Sequence, residues 1–261
     1  METDTAGVNV TTFARFAAQG AWRAESLHSF DAHLVLWFTK GRGNILIGGK
    51  RIGFGPGLIV FLPAGTPHLF DLKAGTYGQV LVMEDHAALE LPEEPVAVRL
   101  SELNLHAEWV GHFEAMQREV SATDSPGRDR ACRYHAGIIG VWLERRHNVL
   151  ADKIKSSERL AARYVSLLES RYATGTNVTE MANELGVTPT HLSRVCLTAT
   201  GKTAHELLND RLMYDAKDLL ARTSVPVQRI AQGLGYSSAA YFTRAFQKST
   251  GKTPSAFRAG R

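Results

Sequence analysis

The stretch Glu180-Met-Ala-Asn-Glu-Leu-Gly-Val187 returns as Arg229-Ile-Ala-Gln-Gly-Leu-Gly-Tyr236, and this repetition decides how the second half of the chain folds. Ala182, Leu185 and Gly186 recur as Ala231, Leu234 and Gly235 at an offset of 49. Leu192-Ser-Arg194 and Gly201-Lys-Thr203 recur as Phe242-Thr-Arg244 and Gly251-Lys-Thr253 at an offset of 50, so the extra residue falls in the turn. Each unit reads as a short helix, a turn at Gly186 or Gly235, and a second helix ending at Gly201 or Gly251. Small Ala182 and Ala231 let two helices cross closely, and the turn glycines accept the positive φ of a tight helix-to-helix corner. Thr188-Pro189 opens the second helix as N-cap and first-turn residue; Ser237 or Ser238 takes that place in the other unit. A plain helical bundle with glycine turns would account for one such pattern. Two copies at a near-constant offset point to a paired helix-turn-helix.

In the second helices Leu192, Val195 and Cys196, and likewise Phe242, Ala245 and Phe246, point inward. That leaves Thr190, Ser193 and Arg194, and Ala239, Ala240, Thr243 and Arg244, to face outward. A helix of this kind fits the DNA major groove, where arginine binds guanine through two hydrogen bonds. The helix N-termini at Pro189 and Ser238, with Lys202, Lys248 and Lys252, suit phosphates. Charge agrees: residues 1–150 carry 14 Lys+Arg against 17 Asp+Glu, whereas residues 151–261 carry 16 against 9. A basic half joined to a mildly acidic one suggests that only the basic half meets a polyanion.

The last hundred or so residues resemble the double helix-turn-helix domain of the AraC/XylS family of transcription regulators. The resemblance is carried by Ile230-Ala231, Leu234-Gly-Tyr236, Tyr241-Phe-Thr-Arg-Ala-Phe246, Gly251-Lys-Thr-Pro254 and Phe257-Arg258. It implies that a helix over Ala204 to Ala221 joins the units and holds both reading helices in adjacent major grooves. It implies Thr190, Ser193 and Arg194 as base readers of the first unit and Ala239, Ala240, Thr243 and Arg244 of the second. Cys196 stands where an aromatic is usual and reads as a small buried hydrophobe. Ala239 and Ala240 replace longer polar groups, so the second unit reads thymine methyls or mostly phosphates. The resemblance also implies contact with RNA polymerase.

The first half has another period. His33-Leu-Val-Leu-Trp-Phe38, Asn44-Ile-Leu-Ile47, Leu58-Ile-Val-Phe-Leu62 and Gln79-Val-Leu-Val-Met83 read as strands cut by glycine turns, as in a small sandwich or barrel. Gly57-Leu-Ile-Val-Phe-Leu-Pro63-Ala-Gly65-Thr-Pro-His68 resembles the second cupin motif, Gly-x5-Pro-x-Gly-x2-His. The paired His-x-His and the glutamate of metal-holding cupins are missing, so no metal site is expected. His28, His33, Trp37 and His68 are the candidate contacts for a small organic effector at the barrel mouth; a hydrogen-bonded structural role for His68 competes with that.

After Pro92 the pattern turns helical. Leu105, Trp109, Phe113, Met116 and Val120 line one helix face, and Ala131, Tyr134, Ile138, Val141 and Trp142 another. These helices either cap the strand domain or form a homodimer seam. The expected organisation is α+β in two domains. Residues 1–100 form a cupin-like β-barrel, 101–150 two helices for dimerisation, 151–157 a linker, and 158–261 an all-α double helix-turn-helix.

Composition bounds the rest. A hydrophobic fraction of 44% with 21% charged residues is that of a globular chain. No apolar run reaches the roughly 20 residues a bilayer span needs, so no membrane partner is expected. Cys132 and Cys196, far apart, exclude a disulfide framework or zinc finger and suit a cytoplasmic protein. The readings to be weighed are a one-component regulator binding double-stranded DNA and an effector, a metal-dependent cupin enzyme with an appended module, and an effector-independent activator. The incomplete metal set favours the regulator: no enzyme activity, no cofactor.

Overall fold

The computed structural model describes residues 7–17, 26–72, 75–84, 91–122, 124–150 and 156–260; five residues of the expected linker, 151–155, lie outside these. The first half holds β1 (Val8–Thr12), α1 (Phe13–Ala17), β2 (Ala32–Lys40), β3 (Gly43–Ile47), β4 (Lys50–Phe54), β5 (Leu58–Leu62), β6 (His68–Leu72), β7 (Tyr77–Glu84) and β8 (Val96–Arg99). All four expected strands are present, and β1, β4, β6 and β8 are additional. The strands make two antiparallel sheets, in the orders β1-β7-β2-β5-β8 and β4-β3-β6.

The expected barrel is open. Among the described residues no ladder joins the two sheets, and an isolated bridge pairs His28, outside the named strands, with His68 of β6. The edge of β8 is already occupied. Val149 N–H donates to the Ala97 carbonyl at 2.9 Å, and the Asn148 side-chain oxygen accepts from Ala97 N–H at 3.0 Å. A segment in this position takes the hydrogen bonds that a closing strand would need.

Side-chain alternation explains why the strands read as unbroken apolar runs. Leu34, Leu36 and Phe38 of β2, with Leu58, Val60 and Leu62 of β5, enter the core between the sheets. Val35 of β2 and Ile59 and Phe61 of β5 enter a second core under two helices, α2 (Leu103–Ser121) and α3 (Arg128–Glu144). A sheet covered on both faces needs apolar residues at every position.

Trp109 is fully buried in that second core and Trp142 nearly so, and Trp142 Nε1–H donates to Glu108 at 3.0 Å. Both tryptophans therefore serve the cap over the large sheet. Buried Arg128 ties the two helices together by donating to the carbonyls of Glu119 and Val120 at the end of α2. The face of α3 turned inward is Cys132, Ala136, Ile139 and Leu143, and Tyr134, Ile138 and Val141 stay exposed.

The second half is α-helical as expected: α4 (Ser156–Arg171), a 3-10 turn (Tyr172–Thr174), α5 (Val178–Glu184), α6 (Pro189–Thr200), α7 (Ala204–Arg222), α8 (Val227–Gly233), α9 (Ala239–Thr250) and α10 (Pro254–Ala259). The sheet of β3, β4 and β6 does not face solvent on its outer side. Leu46 and Leu69, with Leu27, share a core with Tyr164, Val165 and Leu168 of α4 and Leu192 and Cys196 of α6. The two halves are thus packed together. Among the described residues no helix is long and apolar enough to cross a membrane.

Candidate nucleic-acid interface

The two units match corner for corner. Gly186 and Gly235 take φ of +73° and +76°, and Gly201 and Gly251 end the second helices at +83° and +74°. A side chain on Gly235 would meet the backbone nitrogen of Gly175 at 2.3 Å, so the second corner also requires glycine for a close approach. Thr188 caps α6 by accepting from His191 N–H, with Pro189 at its first turn, and Ser238 caps α9 by accepting from Tyr241 N–H. Ser238, and not Ser237, is the cap.

Leu192, Val195, Cys196, Phe242 and Phe246 are buried as the repeat requires, and Ala245 is half-buried. Burial pushes the Cys196 thiol up to about 12, which leaves it protonated and unreactive. Between these anchors Thr190, Arg194, Ala240, Arg244, Lys248 and Lys252 are exposed, and Pro189, Ser193, Ala239 and Thr243 are half-buried. Several of the polar candidates are engaged within the chain: besides the capping Ser238, Thr243 Oγ1 donates to the Ala239 carbonyl at 2.8 Å, and Lys202 forms an ion pair with Asp210 of α7. One exposed side chain on the outward face of α6 was missed: His191, whose ring nitrogen Nδ1 accepts from Arg194. Its spacing of three from Arg194 is the signal that would have found it.

α7 links the two units, and its anchor is Arg211. That guanidinium donates to both carboxylate oxygens of Glu169 at 2.9 Å, pairs with Asp215, and lies 4.0 Å from the centre of the Tyr172 ring. Burial alone would lower its pKa, but the two carboxylates reverse this and raise it. Glu169 also accepts from Ser29 of the first half at 2.6 Å, and the neighbouring His28 ring stacks on Tyr214 of α7 at 4.2 Å.

None of the four effector candidates lines the cleft that opens between the two halves. His28 and His68 are buried, their ring centres 4.4 Å apart. His68 Nδ1–H donates to the Thr66 carbonyl at 2.8 Å, and burial holds its pKa down at about 4. His33 Nδ1 accepts from Ala64 N–H at 3.2 Å, and Trp37 packs edge-on against Trp109 and Phe113. That cleft, of about 1180 Å3, opens where Arg15, Phe16 and Phe30 face Tyr214, Asp218 and Arg222. Among the described residues no three His, Cys, Asp or Glu side chains stand together as a metal-holding group.

A strand domain of this kind followed by two helix-turn-helix units defines a class of two-domain protein. Residues 11–99 match the AraC-like ligand binding domain and residues 181–260 a helix-turn-helix domain. The chain belongs to the AraC/XylS type. It is 31% identical over 156 residues to the arabinose operon regulatory protein of Salmonella typhimurium, covering 57% of this chain and 54% of that protein. It is 30% identical over 106 residues to the raffinose operon transcriptional regulatory protein RafR of Pediococcus pentosaceus, covering 41% and 38%. The chain thus spans about half or less of the length of these curated relatives. A crystal structure of ToxT from Vibrio cholerae aligns over 97% of this chain and 96% of that one, at 13% identity and a TM-score of 0.38.

Proposed function

We propose that this protein is a sequence-specific, DNA-binding transcription regulator whose first half receives a small-molecule effector. The observation that carries this reading is the pair of equally capped helices, α6 and α9, each presenting an exposed arginine at the same place in its unit. Arg194 is the base reader of α6. Arg244 is a phosphate contact, because Ala239 and Ala240 beside it offer no side chain to fix a base-specific geometry. Lys248 and Lys252 extend the phosphate track, and Lys202 steadies α7 through Asp210. We place the effector in the cleft between the halves and not around His68: the cleft mixes aromatic rings with arginines, whereas His28 and His68 are closed off. A ligand there touches both the sheet domain and α7, which carries the two reading units. No step in this reading needs catalysis or a cofactor.

The test is binding by the full chain to duplexes selected from a random pool, at two salt concentrations. Arg194→Ala is expected to cost about 1–3 kcal/mol on the selected site and to relax preference at one base. Arg244→Ala is expected to weaken all sequences alike and to lower the salt slope by about one. Wild-type affinity in both variants would remove α6 and α9 from the interface.

A further inference from the structure

His191 is the third residue of α6 and exposed, and Arg194 Nη2 donates to its Nδ1 at 3.3 Å. A guanidinium has no acceptor, so Nδ1 holds the lone pair and the ring proton sits on Nε2. The imidazole then offers a donor at Nε2. The guanidinium, its rotamer restrained by the imidazole, keeps the donors of Nη1 and the second proton of Nη2. The pair is an edge of donors only. In the major groove the matching surface is a run of acceptors: guanine shows N7 and O6, adenine shows N7 beside an amino donor, and cytosine shows an amino donor alone.

We propose that His191 determines base specificity: with Arg194 it reads two consecutive purines on one strand, guanine under Arg194 and a purine, through N7, under His191. The inference rests on the DNA-binding reading above and adds to it a base step and a residue. Cytosine is excluded at the second position because its amino group would meet Nε2–H donor to donor, and thymine because its methyl group stands where a purine shows N7. The second unit lacks this edge. Its equivalent residue is Tyr241, whose ring lies 5.8 Å from that of Tyr236 and which brings a hydroxyl in place of the imidazole. The two halves of the bound site therefore differ in sequence.

Selection from a random duplex pool with the full chain, His191→Ala and His191→Asn tests this. The wild type is expected to enrich adjacent purines with guanine at the first. His191→Ala is expected to lose the purine preference at the second position and to relax the guanine preference by roughly tenfold, with its affinity for random duplex and its salt slope unchanged. His191→Asn is expected to redirect the second position to adenine, a gain that a misfolded protein cannot show. Unchanged preferences in both variants would overturn the proposal and leave DNA binding standing, as would uniform weakening with a lower salt slope, which marks a phosphate contact. A wild type that enriches no sequence overturns DNA reading itself and this proposal with it.

Discussion

His68 opens β6 with a proton that it keeps off. Its Nδ1–H is satisfied by the Thr66 carbonyl, Nε2 has no hydrogen-bond partner among the described residues, and the rings of His28, Phe30 and Phe70 surround it. The folded chain holds this histidine neutral down to about pH 4, whereas an unfolded one takes its proton near pH 6.5. The depressed value means that its contribution is complete above pH 6.5 and is lost as the pH falls towards 4. Stability is expected to drop by about 3 kcal/mol across that window, read as urea midpoints at a series of pH values, and His68→Gln is expected to flatten that part of the profile. The glycine and proline spacing before His68 announced the turn and the strand that follows. It did not announce a closed environment, because Phe30 and His28 reach the ring from a segment some forty residues earlier. His191 is hidden for the opposite reason: its partner is only three residues away, but the repeat does not mark it, since the second unit has Tyr241 at that place.

At the scale of elements, glycine corners and caps were legible because each depends on one or two residues in a row. The phase of α3 was not. Its sequence carries two apolar stripes at helical spacing, Cys132-Ala136-Ile139-Leu143 and Tyr134-Ile138-Val141, and a period cannot say which of two stripes meets the sheet. The sheet took the one with small residues, which lets α3 approach closely, and Trp142 closed over its end. Tyr134, 66% exposed, and Ile138, 47% exposed, with Val141 form the surface on which we place the homodimer seam. Ile138→Glu is expected to turn dimer into monomer in sedimentation at micromolar concentration with the melting temperature unchanged. Trp142→Glu is expected to lower the melting temperature of the whole chain instead, since that side chain is part of the core under the large sheet. Sedimentation as a monomer by the unaltered chain would remove the seam.

At the scale of the molecule, the sequence showed two halves but concealed how they meet. The clue lay in Leu46 and Leu69, apolar on strand faces that an isolated sandwich would turn to water, and it is read only once α4 is seen to cover them. The Gly48-Gly49 hairpin, legible as a turn, is also where the halves touch: a side chain on Gly49 would lie 2.6 Å from the backbone of Ala162. Gly49 also has φ of +85°, so Gly49→Val strains the turn and forces α4 away together. The shared core around Leu46, Leu69 and Tyr164 makes sheet and helices a single cooperative unit, so calorimetry of the full chain is expected to give one melting transition, and Gly49→Val two. In a chain that melts as one, the reading head does not open or order apart from the sheet domain. Heat, acid or a ligand that loosens the sheet domain is then felt at α6 and α9 as a loss of order, with no hinge required to carry the message.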